Sequence, residues 1–127
     1  MEQGGPTPYN KINEPSQIAC IKGGRKPTYS ASLHSLDATA LRQVFDEWAG
    51  FGVEHEEAKA GSVMLVEVYN YAKVREMPEN ESAFPHRALS FQILFSVLYQ
   101  DEALDIVAKQ LADRMRGVLH NGEKKEV

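Results

Sequence analysis

The stretch Ser82-Ala-Phe-Pro-His-Arg-Ala-Leu-Ser-Phe-Gln-Ile-Leu-Phe-Ser-Val-Leu-Tyr99 decides how this chain folds. It reads as a proline-led loop running into a strand. From Leu89 to Tyr99 apolar residues occupy both alternating faces, which predicts a strand buried on both sides. Asp101 follows as the cap of a long helix whose stripe is Leu104, Val107, Ala108, Leu111, Met115 and Val118 or Leu119. Gly122 is its expected stop. Upstream, residues 72–87 form a polar connection. Before them Ser62-Val-Met-Leu-Val-Glu-Val-Tyr-Asn-Tyr71 is again apolar on both faces, apart from Glu67 and Asn70. That pattern predicts a central strand rather than an edge.

Further out, Asp37 is a natural N-cap, and Leu36 and Leu41 stand where a hydrophobic staple would form. Ala38, Leu41, Val44, Phe45 and Trp48 recur at helical spacing, and Gly50 and Gly52 are expected to end that helix. Thr28-Tyr-Ser-Ala-Ser-Leu33 reads as a strand. Lys22-Gly-Gly-Arg25 is a turn signal; Walker spacing is missing, so it is not a phosphate loop. Ile18-Ala-Cys-Ile21 is a further short strand candidate. Residues 1–15, with Gly4, Gly5, Pro6, Pro8 and Pro15, read as an irregular arm. Residues 16–122 then form one domain, and 123–127 a frayed tail.

The order is (β)β-α-β-β-α, an α+β two-layer sandwich of ferredoxin-like order with two helices on one face of a small antiparallel sheet. Strands apolar on both sides leave the other face in need of a cover, and so small a sheet has open edges. A homodimer answers both needs.

With 127 residues, 43% hydrophobic and 25% charged, one soluble core is expected. A net charge of −4 offers no footprint for nucleic acid. No apolar run approaches the roughly 18 residues of a membrane span, and Met1-Glu-Gln-Gly-Gly-Pro6 is not a signal peptide. The expected location is cytoplasmic. Cys20 is the sole cysteine, so neither an internal disulfide nor a cysteine zinc site is expected. Glu54-His-Glu-Glu57 lacks the second histidine of H-E-x-x-H, so no metal is expected.

Ala83-Phe-Pro-His-Arg87 and the strand after it resemble the C-terminal substrate domain of FAD-linked oxidoreductases of the berberine-bridge-enzyme type. There an "A-F-P-H-R" loop leads into a strand reading "L-Y-x-I-Q-F/Y-x-x-x-W". Phe91, Ile93, Phe95 and Tyr99 stand at its aromatic and Ile positions. Thr28-Tyr-Ser-Ala-Ser32 is similar to the strand that opens that domain, Leu41 to Trp48 to the helix after it, and Val66-Glu-Val-Tyr69 to a strand that brings a polar group to the substrate. The resemblance spans roughly residues 28 to 119. It implies a substrate domain without the flavin domain, hence no cofactor on this chain alone. The family's catalytic Gln or Glu falls on Leu94, which can neither move a proton nor donate a hydrogen bond.

The resemblance implies that Leu94 points to the substrate side; by strand alternation Gln92, Ser96 and Leu98 share that side, and Ile93, Phe95 and Val97 face the helices. Glu67 shares a face with Leu65, Tyr69 and Tyr71. An ionised Glu in an apolar strand is costly to bury, so it must find a partner or serve as acid or base; Arg25, Arg42 and Arg87 are the partners considered. His86 and Arg87 could bind a ligand oxygen, or Arg87 could pin the loop to backbone carbonyls. The resulting expectation is Glu67 and His86 as catalytic groups. Tyr69, Arg87, Gln92, Leu94 and Ser96 would bind an apolar small molecule. The reaction would be a cofactor-free isomerisation, cyclisation or dehydration in a biosynthetic pathway. The competing readings are a non-catalytic accessory protein, beside a flavin-bearing chain, or a truncated fragment.

Overall fold

A computed structural model describes residues 6–14, 17, 22–81, 83, 84 and 86–123. The candidate strand at 18–21 lies outside the described residues. Three strands and four α-helices follow one another among them. They are β1 (Thr28–Leu33), α1 (Ala38–Glu54), α2 (Glu56–Lys59), β2 (Val63–Val68), α3 (Ala72–Arg75), β3 (Phe91–Ser96) and α4 (Leu104–Gly122). The sheet is antiparallel with β3 in the middle, in the order β1-β3-β2. Residues 6–14 are exposed and hold one 3-10 turn, Tyr9–Lys11.

The middle strand is fully buried on one face only, not on both as its apolar pattern predicts. Ile93, Phe95 and Val97 are buried, as are Ala31 and Leu33 of β1, and α1 and α4 cover this face. Leu104, Ala108, Leu111, Met115 and Leu119 supply the α4 stripe. Burying side chains of this size contributes about 1.5–3 kcal/mol each, before conformational entropy is charged against it.

Two further expectations are corrected. Among the described residues β2 is an edge strand, not a central one. Its apolar residues are not apolar because both faces are buried: Leu65 is 45% exposed and Val68 65% exposed. Secondly, α1 runs through Gly50 and Gly52 to Glu54. Glycine costs a helix about 1 kcal/mol, but Phe51 is buried on the same face as Val44 and offsets that loss. The stripe shifts accordingly. Ala40 and Phe51 are buried, whereas Ala38 and Phe45 are exposed, the latter with Arg42 over its ring at 5.6 Å. The cap is as expected: Asp37 Oδ1 accepts from the Ala40 N–H at 2.8 Å.

Two polar ties close the unit. Gly23 and Gly24, both at positive φ, turn the chain so that Arg25 bridges Tyr99. The Arg25 guanidinium donates to Asp105 and Glu102 at 2.7 Å each. Buried Tyr99 donates its hydroxyl to Asp105 at 2.8 Å. Burial, then that bond to a carboxylate, pushes the phenol well above its ordinary value. At the other end Glu123 accepts from the His34 N–H at 2.6 Å and faces His120 Nδ1 at 3.2 Å. Burial raises the Glu123 carboxyl, but the hydrogen bonds outweigh it and hold the group below its usual value.

Candidate functional site

Alternation along the strands leaves the second sheet face uncovered. Register places three cross-strand rows on it: Thr28–Ser96–Val63, Ser30–Leu94–Leu65 and Ser32–Gln92–Glu67. Hydroxyl groups line the β1 side, aliphatic groups the β2 side, and Leu94 sits between them. The rows are partly buried along β3 and at Ser32 and Glu67, and exposed at Thr28, Ser30, Val63 and Leu65. Gln92, Leu94 and Ser96, the expected ligand contacts of β3, therefore do share one surface with Glu67.

At its Glu67 corner the face continues into a row of rings. The Tyr69 hydroxyl donates to Glu67 Oε1 at 2.8 Å. That hydrogen bond, with slight burial and the carboxylate charge behind it, raises the Tyr69 phenol above its ordinary value. Tyr69 meets Tyr71 edge to face at 5.7 Å. Tyr71 lies against Phe84 at 6.3 Å, and Phe84 meets the His86 ring edge-on at 5.9 Å. The two expected acid–base groups thus stand at the ends of one aromatic row. Tyr71 was recognisable from its spacing of two behind Tyr69. Phe84 was not, because its contact with Tyr71 spans the connection between β2 and β3.

The arginines weighed as partners of Glu67 are engaged elsewhere. Arg25 holds Glu102 and Asp105, and Arg42 holds Asp46 at 2.8 Å. Arg87 is buried and donates to the Met77 carbonyl at 3.4 Å, which pins the loop. His86 is exposed and its carbonyl accepts from the Leu89 N–H. Arg75 reaches the Ser90 hydroxyl at 2.5 Å and ties α3 to the start of β3.

Concave space lies on the helix side instead. A cavity of about 280 Å³ opens under the end of α1, among Trp48, Phe51, Val53 and Ala58. Another of about 340 Å³ lies between α1 and α4, beside Glu47, Val107 and Arg114. Among the described residues no group of three or more His, Cys, Asp or Glu side chains could hold a metal. No helix among them is long and apolar enough to cross a membrane.

Fold and face together define a small α+β unit with one closed sheet face and one open, ring-edged face. Over 103 residues the chain is 30% identical to a protein described as FAD-linked oxidoreductase hasG, from Aspergillus fumigatus (strain CBS 144.89 / FGSC A1163 / CEA10). That stretch is 77% of this chain and 22% of the relative, so the chain spans less than a quarter of the relative's length. The similarity makes it a distant relative of an FAD-linked oxidoreductase. No family model and no solved structure matches it. The open face by itself does not enclose a flavin. A cofactor of that size needs a pocket that buries most of its surface, and the open face is a single wall.

Proposed function

We propose that this chain is a substrate-side module akin to that of the FAD-linked oxidoreductases, lacking redox activity of its own. Its open face forms one wall of a site for an apolar, ring-bearing small molecule. The second wall comes from a flavin-bearing polypeptide. The observation that carries this reading is the face on which exposed Leu65 and Tyr69 flank partly buried Leu94. A ferredoxin-like relation is proposed for its sheet, supported by the order in which β3 separates β1 from β2. A homodimer is the proposed assembly of the chain itself.

The test is co-expression with hasG from which the aligned segment has been removed. Co-elution as a yellow complex is the expected result. A colourless chain eluting alone, with the truncated relative in a separate peak, overturns the shared-site reading.

A second reading is favoured by one contact, the Glu67–Tyr69 hydrogen bond. A carboxylate that holds a phenol protonated is a ready acid–base pair. In this reading Glu67 takes a proton from a bound ligand, Tyr69 stabilises the oxygen anion that results, and His86 assists from the far end of the ring row. No cofactor takes part in the isomerisation, cyclisation or dehydration so performed. Glu67→Gln then abolishes turnover and leaves the fold intact; retained turnover removes the role.

A further inference from the structure

The two edges of the sheet differ in a way the open face does not explain. β1 carries the hydroxyl residues Thr28, Ser30 and Ser32 on its open-face side, a polar row. β2 is Val-Met-Leu-Val-Glu-Val, with no proline, glycine or lysine to discourage pairing. Leu65, Val66 and Val68 are 45%, 39% and 65% exposed. The Tyr69 N–H donates to the Ser90 carbonyl. By the two-residue period Glu67, Leu65 and Val63 also turn their backbone groups toward β3. Met64, Val66 and Val68 turn theirs outward.

We propose that two copies of this chain pair their β2 edges antiparallel, about a twofold axis at Leu65, so that two sheets become one. The proposal rests on the homodimer reading above and specifies its surface. Charge selects the register. An axis at Glu67 sets two carboxylates face to face, and one at Val66 sets them diagonally adjacent. An axis at Leu65 places each Glu67 opposite Val63 of the second copy. Leu65 then packs on Leu65, and the outward backbone groups of Met64 and Val66 bond those of Val66 and Met64 across the axis. This is strand addition with the chain as its own partner. The two open faces become one continuous surface, and the helices stay on the opposite side.

Sedimentation equilibrium of the full chain is expected to give a dimer. Val66→Pro removes an N–H that β3 does not use, a change edge strands tolerate. It is expected to weaken association at least about tenfold, with one hydrogen bond lost per copy, while far-ultraviolet dichroism is unchanged. Should that variant fail to fold, cross-linking decides. In a Cys20→Ser background, Leu65→Cys is expected to yield a disulfide-linked dimer on mild oxidation, since opposed residues of a non-hydrogen-bonded pair lie about 4.5 Å apart. Ser30→Cys is expected to stay unlinked. A dimer that Leu65→Cys does not cross-link overturns this interface but not the homodimer. A monomer at every concentration, or one that associates only with a flavin-bearing chain, overturns both.

Discussion

The two faces of one sheet carry residues of similar apolarity and different fates. On β3, Phe95 and Ile93 are sealed under α1 and α4, while Leu94, between them in sequence, is only partly buried among Ser30 and Leu65. Helices are committed to one side only, so stability resides in the covered face and whatever chemistry the module takes part in belongs to the open one.

The sharpest way to break that contrast is Phe95→Ala. The cavity left under Trp48, whose ring centroid lies 6.2 Å from that of Phe95, is expected to cost about 3–5 kcal/mol in a denaturant titration. A loss below 1 kcal/mol would mean the covered face is not the core.

Next in size is Tyr99→Phe, about 1–2 kcal/mol, because it removes a buried bond to the Asp105 carboxylate. This bond also sets an alkaline limit. The folded phenol holds its proton above the ordinary value of 10.0. Its contribution is therefore complete below that pH and is lost as pH rises toward the folded value. Thermal melts at rising pH should show wild type losing stability beyond pH 10 and converging on Tyr99→Phe. Parallel curves would refute the linkage.

Leu94→Ala on the open face is expected to cost less than Phe95→Ala, about 1 kcal/mol, since the side chain is only partly buried. A cost matching that of Phe95→Ala would show that something covers the open face in solution. Smallest of all is Glu67→Gln, within about 0.5 kcal/mol by chemical melt. Its signature is elsewhere: the Tyr69 phenol should titrate closer to 10.0 once the carboxylate charge is gone. An unchanged ultraviolet titration would separate Tyr69 from Glu67.

Much of this contrast was legible in the sequence. The resemblance, with period-two alternation, placed Ile93, Phe95 and Val97 on the covered side of β3, and Asp37 announced its cap. The edge position of β2 was not legible, because apolarity on two faces does not tell which strand has neighbours on both sides. The end of α1 was missed for a different reason: local glycine propensity lost to the tertiary anchoring of Phe51. At the site, Glu67 and Tyr69 could be joined by spacing alone. The reach from Tyr71 to Phe84 and His86 depends on how the 72–90 connection folds back, which no local pattern encodes.

The far end of α4 has a consequence of another kind. A Cβ at Gly122 would stand 2.6 Å from that of Ala40 and 3.3 Å from that of Asp37. Just beyond it, Glu123 bonds a residue 89 positions earlier. The last helical turn is thus fastened to the segment that starts the first long helix, a closure of long sequence separation. Closures of this kind are expected to slow folding and to couple the opening of the two segments. In hydrogen exchange, amides of α4 and of β1 should then share a single opening free energy instead of fraying from the helix end.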